Sequence, residues 1–265
     1  MDVASGMFAV RGQINNANGP QLGLGRVARA AAFGAGLLTA SLAHAGPDRP
    51  KAEIFTGLEA SNNAVSGYLG GGYALGKGLY QPGWRVRAVA SFGRYDYRGS
   101  LFDRGADLGT NFDGEASYGA ALLGHQFRAQ NLFLKIFAGV EAEDQRITPR
   151  DPDNSVQGSA VGVKVLAESW LDLSPSWFGS LDASYGTAFQ EYWSRARIGY
   201  RVGPRVALGL EGGALGNEEY DAGRGGGFVR LNLRALEMTL SGGFTGNYLE
   251  DEPSGYLSLG LYRAF

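Results

Sequence analysis

The feature that most constrains this sequence is an alternation of apolar with polar or small side chains at every second position. In the stretch WRVRAVASFGRYDY, residues 84–97, Trp84 and Val86 fall on one face, while Arg85 and Arg87 fall on the other. Similar stretches recur along most of the chain after residue 50. A β-strand points successive side chains to opposite faces, and helical spacing fits none of these stretches. The sequence therefore predicts an all-β chain.

Twelve strands follow from this rule, and an even number is typical of bacterial membrane barrels. They are expected at residues 52–60, 64–75, 84–97, 115–128, 131–144, 159–171, 177–188, 193–202, 205–214, 224–234, 237–247 and 255–265. No apolar stretch after residue 46 is as long as a transmembrane helix, so a helical membrane protein is excluded. We therefore predict a transmembrane up-and-down antiparallel β-barrel of about 12 strands.

The connections between these strands are expected to alternate between short and long. Membrane barrels have this asymmetry because short periplasmic turns close one end and longer outer loops close the other. Tight turns are expected at residues 129–130, 203–204 and 235–236. Longer polar loops are expected at residues 101–114, 146–158, 216–223 and 249–256. A β-sandwich does not predict such an asymmetry.

The two faces of the strands differ in chemistry, which predicts what each face meets. The apolar faces carry Leu, Val, Ala and aromatic residues and are expected to face lipid, while the mixed faces are expected to line the lumen. The charged residues expected to point inward are Arg85, Arg87, Lys135, Glu141, Lys164, Glu168, Asp182, Arg195, Arg197, Arg201, Glu211 and Arg230. They either line an aqueous path for a polar polymer or form salt bridges that close a narrow barrel. The interleaved signs and the modest space inside twelve strands favour salt bridges.

All four tryptophans lie close to predicted strand ends. Aromatic girdles occupy these positions in membrane barrels, at the two interfaces between lipid and water. The residues expected in the girdles are Trp84, Trp170, Trp177 and Trp193.

The last strand, GYLSLGLYRAF at residues 255–265, keeps the alternation up to the final residue, Phe265. A closed barrel must pair its last strand with its first, because an unpaired edge in lipid leaves backbone groups unsatisfied at several kcal/mol each. We therefore expect this strand to close the barrel and to present its terminal Phe to the barrel-assembly machinery. Arg263 stands where an apolar or aromatic residue is usual, at a cost of about 0–1 kcal/mol near a membrane interface.

The segment RVARAAAFGAGLLTASLAHAGPDRP, residues 26–50, has the three parts of an export signal. It begins with basic residues, continues with an apolar stretch too short to span a bilayer, and ends with the A-x-A cleavage site AHA. We expect residues 1–45 to be an N-terminal extension plus a cleavable signal peptide, and residues 46–265 to form the outer-membrane barrel. Because a neutral stretch precedes the basic residues, we expect translation to begin near Leu24 or Val27.

Composition excludes several classes of function. The 24 Lys and Arg nearly balance the 26 Asp and Glu, and no basic run occurs, which argues against nucleic acid as a partner. The absence of Cys excludes thiol chemistry and cysteine zinc sites. The acidic stretches 151–154, 217–221 and 249–252 lack the register of an EF-hand, and solvated loops account for them better. No metal site and no cofactor is predicted.

A membrane-embedded hydrolase is an alternative with specific requirements. A nucleophile there needs a base, normally a His supported by an acid. After removal of the signal the only His is His125, which stands between Leu123 and Phe127 near the end of a predicted strand. We interpret it as a His at the periplasmic rim and predict that the chain is not an enzyme. Replacing His125 with Ala is expected to leave any phenotype intact.

Two stretches near the C-terminus carry a family resemblance. TAFQEYWSRARIGYRVG at residues 187–203 and GLEGGALGNEEYDAGRGGGFV at residues 209–229 resemble the BcsS family of bacterial cellulose biosynthesis accessory proteins. GRYDY at 93–97 and VEAEDQRITPRDPDN at 140–154 fit the same pattern. The resemblance runs from about residue 53 to the end. It brings no catalytic residues with it.

The resemblance implies a non-enzymatic accessory protein of the bacterial outer membrane that serves cellulose biosynthesis and export, and hence exopolysaccharide secretion and biofilm formation. Its implied partners are outer-membrane lipid and cellulose or components of the cellulose-synthase complex. The candidate contact residues for a polysaccharide or partner, in the lumen or at a rim, are Trp193, Arg195, Arg197, Arg201, Glu211, Asn217, Glu218 and Asp221. The motif residues among them, all but Arg201 and Glu211, are expected to cluster at one rim. A general porin or adhesin-like barrel and a barrel hydrolase are the alternatives.

Overall fold

The alternating stretches fold as the strands of one closed sheet. The structure, a computed structural model, describes residues 50–103, 106–245 and 254–265. Each strand pairs antiparallel with its neighbours in sequence, and the first strand pairs with the last. The strands are β1 (Ala52–Ser61), β2 (Ala64–Ala74), β3 (Gly83–Asp103), β4 (Ala106–Ala129), β5 (Leu132–Thr148), β6 (Gly158–Asp172), β7 (Trp177–Gly186), β8 (Tyr192–Arg201), β9 (Val206–Asn217), β10 (Tyr220–Leu233), β11 (Leu236–Thr245) and β12 (Ser254–Ala264). The predicted up-and-down antiparallel barrel of twelve strands is confirmed.

The final residue takes part in closing the barrel. The carbonyl oxygen of Phe265 accepts hydrogen bonds from the backbone N–H groups of Lys51 at 2.6 Å and Ala52 at 3.2 Å. The N–H of Phe265 in turn donates to the carbonyl of Ala52 at 2.8 Å. The guanidinium of Arg263 lies 4.9 Å from the centre of the Phe265 ring. The pairing of the terminal strand with β1, expected from its alternation, is therefore confirmed.

The predicted assignment of the two strand faces is also correct. On β3 the inward Arg85 and Arg87 are 2% and 4% exposed, whereas the outward Trp84 and Phe92 are 56% and 45% exposed. Of the twelve charged residues predicted to point inward, all but Arg201 are buried, and Arg201 is half-buried at a strand end.

The tryptophan prediction is half right. Trp84 and Trp177 are exposed on the outer face, as an aromatic girdle requires. Trp193 is only 2% exposed and lies inside the barrel, and Trp170 stacks on a buried Phe178. The girdle assignment is therefore wrong for Trp170 and Trp193, because both share the inward parity of the charged residues on their strands.

The two ends of the barrel differ. The terminal end holds residues 50 and 265 and the connections that follow even-numbered strands, and the hairpin end holds the connections that follow odd-numbered strands. At the hairpin end β2 pairs with β3 only as far as Tyr95, and β5 pairs with β4 only as far as Asp113. Beyond these points β3 and β4 pair only with each other, so that their hairpin projects past its neighbours.

Two of the predicted long loops are wrong. Residues 101–114 and 216–223 are largely strand. In the first case the hairpin continues because Tyr97 and Phe112 pair across it and stack with ring centres 5.0 Å apart. The expected alternation of loop lengths also fails, since the connection after β1 is short and that after β2 is long. The tight turns are found within a residue or two of their predicted positions, at 130–131, 202–205 and 234–235.

The β5–β6 connection, residues 149–157, is a loop as predicted, and it folds inward over the hairpin end. Val156 is fully buried, and the carboxylate of Asp151 accepts a hydrogen bond from the Tyr97 hydroxyl at 2.6 Å. The backbone N–H of Ser155 donates to a carboxylate of the β9–β10 turn at 2.8 Å. This connection, called the cap loop below, therefore covers part of the hairpin end.

Some sequence predictions fall on residues that the structure does not describe. The N-terminal extension and signal peptide, residues 1–45, lie outside the described residues, as does the acidic stretch 249–252. Within the described ranges, no helix has the length and apolar character needed to cross a membrane.

Candidate functional site

Opposite charges meet across the lumen in what we call the Arg87 cluster, formed by Arg87, Glu168, Lys135 and Glu53. Arg87 of β3 makes two hydrogen bonds to Glu168 of β6, one of them at 3.1 Å, and a third to Glu53 of β1 at 3.2 Å. The ammonium of Lys135 lies 3.2 Å from the second oxygen of Glu168. All four side chains are buried, and the two cations balance the two carboxylates within the cluster.

A second set of buried charges, the Arg197 cluster, lies on β8, β9, β10 and β1 and consists of Arg197, Glu211, Arg224 and Glu59. Arg197 donates from Nε to Glu211 at 2.7 Å, and the hydroxyl of Tyr256 donates to the same carboxylate at 2.7 Å. Arg224 holds Glu59 through two parallel hydrogen bonds of 3.1 and 3.0 Å. Such forked pairing fixes orientation as well as charge balance.

A third group, the Lys164 cluster, lies nearer the hairpin end. The ammonium of Lys164 is 3.5 Å from Glu141 and 4.0 Å from Glu191. Glu191 lies in the connection between β7 and β8, where burial raises the pKa of its carboxyl above the ordinary value. Lys164 opposes this rise and Glu141 adds to it. The group therefore holds more carboxylates than ammonium groups to balance them.

Together these clusters fill the middle of the lumen. Side chains that line a water-filled channel are wetted, yet Arg87, Glu168 and Glu211 are 4%, 1% and 6% exposed. Across the described residues, the barrel is thus closed at mid-height by charge pairs. This agrees with the expectation that salt bridges, and not an aqueous path, account for the inward charges.

Between the clusters and the terminal end of the barrel lies a cavity of about 400 Å³. Tyr80 and Pro204, from the β2–β3 and β8–β9 connections, lie at its mouth. Lys135 and Arg197 lie at its inner end, which the Arg87 cluster and the Arg197 cluster close. Its walls include the aromatic residues Phe133, Trp170, Phe178 and Tyr262.

Aromatic rings and arginines pack together in the cavity wall. The rings of Trp170 and Phe178 are stacked, with centres 4.5 Å apart and planes inclined by 13°. The guanidinium of Arg230 lies 4.8 Å from the Trp170 ring centre, and its Nε is 3.3 Å from Glu237. Arg201 lies 5.0 Å from the Phe178 ring centre. These contacts hold the indole in one orientation.

The mouth of the cavity is shaped by the β2–β3 connection, which folds toward the lumen. Arg85 donates to the carbonyls of Leu79 at 2.6 Å and Gln81 at 3.0 Å. Gln126 of β4 also donates to the Gln81 carbonyl, at 3.3 Å. Inward-facing side chains thereby hold this connection in place and leave Tyr80 half exposed at the mouth.

The structure separates the residues predicted to form one contact site. Trp193 is buried near the start of β8, and Arg195 lies over its ring at 5.1 Å. Arg197 lies in the middle of the lumen, and Arg201 ends the same strand at the terminal end. Because Trp193 packs against Leu215 and Tyr220 beside the β9–β10 turn, the cluster expected at one rim forms in part at the hairpin end, and Arg197 lies outside it. Glu211 pairs with Arg197.

Three further candidates lie around the β9–β10 turn at the hairpin end. Asn217 accepts a hydrogen bond from the backbone N–H two residues later, at 2.9 Å, which forms the turn. Glu218 accepts from the Gln190 amide at 2.7 Å, and Asp221 accepts from the Tyr192 hydroxyl at 2.5 Å. These side chains join the turn to its neighbour between β7 and β8, and their role in contacting a partner stays a prediction.

His125 lies on the outer face of the barrel. Its ring centre is 5.3 Å from that of Trp84 and 4.6 Å from that of Phe127. In the parts of the chain that are described, no group of His, Cys, Asp and Glu side chains is arranged to hold a metal ion.

Sequence reasoning missed several lumenal residues. Glu53 and Glu59 lie on the inward parity of β1, and Arg224 shares the inward parity of Arg230 on β10, so the same alternation identifies all three. Tyr80 and Gln126 have no such signal, because their place at the cavity depends on how the β2–β3 connection folds.

A sequence model of the family described as "Cellulose biosynthesis protein BcsS" matches residues 54–265, from β1 to the final residue. The chain belongs to this family. The resemblance to the BcsS family that the sequence indicated is thus confirmed, and it extends over the whole barrel. A comparison with curated proteins gives no match.

Solved structures similar to this BcsS barrel include outer-membrane proteins. The COG4313 outer membrane channel from Pseudomonas putida F1 has a TM-score of 0.52 and 13% identity, and the match covers 85% of this chain and 99% of that one. The translocator domain of autotransporter NalP from Neisseria meningitidis has a TM-score of 0.49 and 12% identity, with 91% and 94% covered. The KdgM porin in complex with disordered oligogalacturonate has a TM-score of 0.46 and 8% identity, with 80% and 99% covered. At these identities the likeness shows the fold alone.

Proposed function

We propose that this chain is a non-enzymatic accessory barrel of the bacterial outer membrane, which serves cellulose biosynthesis and export without passing the glucan through its own lumen. Membership of the BcsS family supports the link to cellulose. The outer face supports the membrane location, since Val140 in the middle of β5 and Leu210 in β9 are 60% and 67% exposed. In water such a face would be an unusual apolar surface, whereas in lipid it is the expected one.

The observation that carries the accessory role is the closed middle of the lumen. To open a path, Arg87 would have to leave Glu168 and Arg197 would have to leave Glu211. Breaking a buried ion pair costs about 3–5 kcal/mol when one charge is left unpaired. A lumen closed by two such pairs is poorly suited to pass a polymer, so the barrel is better suited to bind cellulose or a component of the synthase complex.

The test is a deletion strain in which the amount and location of cellulose are measured. We expect the deletion to reduce cellulose or to misplace it, and the wild-type gene to restore it. A variant with both Arg195 and Arg197 replaced by Met tests whether the lumenal charges contribute to the amount or location of cellulose. Unchanged cellulose in the deletion strain contradicts the proposal.

The porin, adhesin and hydrolase alternatives are separated by further measurements. In planar bilayers we expect no steady ion conductance of the size a general porin gives, and a large open conductance would favour the porin. Surface adhesion that is independent of cellulose would favour an adhesin. Loss of function in His125→Ala with normal assembly would favour a hydrolase, because His125 is the only His in the barrel.

A further inference from the structure

We propose that the cavity at the terminal end binds a short segment of a neutral β-1,4-linked glucan. The inference rests on the proposed function for its choice of sugar and on the cavity for its chemistry. In outer-membrane barrels the longer extensions lie on the extracellular side, and here the β3–β4 hairpin projects from the hairpin end. The terminal end, with both ends of the barrel sequence, would then face the compartment that a glucan crosses on its way out.

The size and shape of the cavity suit a short oligosaccharide. Its volume of about 400 Å³ falls in the range of small-molecule sites, about 300–1,000 Å³. Arg197 and Arg201, which both line it, are four residues apart on β8, a distance of about 13 Å along a strand. The buried Arg87 and Arg197 clusters close its inner end. A chain end or short segment can therefore enter, but it cannot pass through.

The aromatic residues supply flat apolar surfaces of the kind that pyranose rings pack on. A pyranose ring presents C–H groups on its faces and hydroxyl groups around its edge. Trp170 is held in one orientation by its stack on Phe178 and by a hydrogen bond from its Nε1 to Asp172 at 3.2 Å. Tyr80 stands at the mouth, where it is 53% exposed. A rigid ring inside and an exposed ring at the entrance form two stacking positions along the cavity.

The charges in the lining favour a neutral ligand over an anionic one. Each cation that lines the cavity already has a carboxylate within 4 Å: Lys135 with Glu168, Arg197 with Glu211, Arg201 with Asp172 and Arg230 with Glu237. An anion would have to compete with these carboxylates. Hydroxyl groups can instead share the remaining N–H donors and carboxylate lone pairs without disturbing the charge balance.

One buried acceptor among the described lining residues has no hydrogen-bond partner in the structure. Gln126 is 1% exposed and donates from its amide nitrogen to the Gln81 carbonyl, but its side-chain oxygen accepts no hydrogen bond. A buried acceptor without a partner costs about 1–3 kcal/mol. A ligand hydroxyl in the cavity would satisfy it. This second observation points to a hydroxylated ligand independently of the aromatic rings.

The test is calorimetric titration of the folded barrel in detergent with cellotetraose. We expect saturable binding that weakens at least fivefold in Trp170→Ala and also in Tyr80→Ala. The matched control is Trp177→Ala, because Trp177 is exposed on the outer face and does not line the cavity. Folding of each variant is checked by its heat-dependent mobility in gels. If Trp170→Ala does not fold, Tyr80→Ala decides, since Tyr80 lies in a connection and not on a strand of the barrel.

Three results would overturn the inference. The first is no saturable binding of cellotetraose by the wild-type barrel, and the second is an equal loss in Trp177→Ala. The third is tighter binding of an anionic oligogalacturonate than of cellotetraose, which would indicate an anion site. Failure of this inference is distinguishable from failure of the proposed function. Suppose that deletion abolishes normal cellulose output, that genes for Tyr80→Ala and Trp170→Ala restore it fully in the deletion strain, and that no sugar binds. Only the cavity assignment is then wrong.

Discussion

Removing the positive charge of Arg87 is expected to destabilise the barrel more than any surface charge change. Arg87→Met leaves Glu168 and Glu53 facing only Lys135, so a cluster that is neutral in the wild type gains one net negative charge in a buried site. The substitution also removes cation–π contacts with Phe55 and Phe137, at 5.1 and 4.7 Å. Breaking a buried ion pair costs about 3–5 kcal/mol.

The expected loss in the free energy of unfolding is therefore about 4 kcal/mol. With a slope of about 2 kcal/mol per M of urea, the unfolding midpoint falls by about 2 M. The measurement is urea unfolding of the barrel in lipid vesicles, followed by tryptophan fluorescence. The double variant Arg87→Met with Glu168→Gln restores a neutral cluster, and we expect it to recover at least half of the loss.

The matched control is Arg94→Met. Arg94 pairs with Glu115 at 2.8 Å, but the two side chains are 76% and 57% exposed. Exposed ion pairs contribute about 0–1 kcal/mol. If Arg87→Met costs no more than Arg94→Met, or if the double variant is less stable than Arg87→Met alone, the Arg87 cluster does not stabilise the barrel as argued.

Three further predictions concern other parts of the barrel. Burial raises the pKa of Glu191, so above the ordinary carboxyl pKa the folded state binds more protons than the unfolded state. The free energy of unfolding should therefore fall as pH rises through the raised pKa. We expect Glu191→Gln to reduce this pH dependence in urea midpoints measured from pH 4 to 8. Val140→Arg in the middle of the outer face should cost about 2–4 kcal/mol in vesicles, whereas Val161→Arg near the hairpin end should cost about 0–1 kcal/mol; equal costs would contradict a membrane-facing wall. Deleting Ala264 and Phe265 removes the last hydrogen bonds of the seam and should reduce the heat-resistant folded band in gels, and an unchanged band would show that β12 closes without them.

The parity of the strands could be predicted from the sequence because lipid and lumen impose opposite demands on alternate residues. Arg195 and Arg197 point inward and Ile198 outward for this reason alone, and no knowledge of neighbouring strands is needed. The strand ends could not be predicted as well. The Gly, Asp and Asn of residues 106–114 are typical of turns, yet these residues continue a hairpin that is held by Tyr97 and by pairing across the two strands.

The ion-pair partners of the inward charges also could not be predicted from the sequence. Arg87 pairs with Glu168, 81 residues away and on a strand that is not its neighbour. Such contacts cross the lumen, so they depend on the tilt of the strands and on closure of the sheet, which no local pattern records. The cavity escaped prediction for a similar reason, because Tyr80 reaches its mouth only when Arg85 holds the β2–β3 connection inward.

The projecting β3–β4 hairpin allows the orientation of the barrel in the membrane to be determined by chemical labelling. Residues 96–103 extend for about 26 Å at about 3.3 Å per residue, as far as the apolar band of such a barrel is tall, about 25 Å. Gly109 on this hairpin is exposed, and a side chain built there meets nothing within 4 Å. Because the chain has no cysteine, Gly109→Cys creates a single thiol. An impermeant maleimide added to whole cells would then report which end of the barrel reaches the outside.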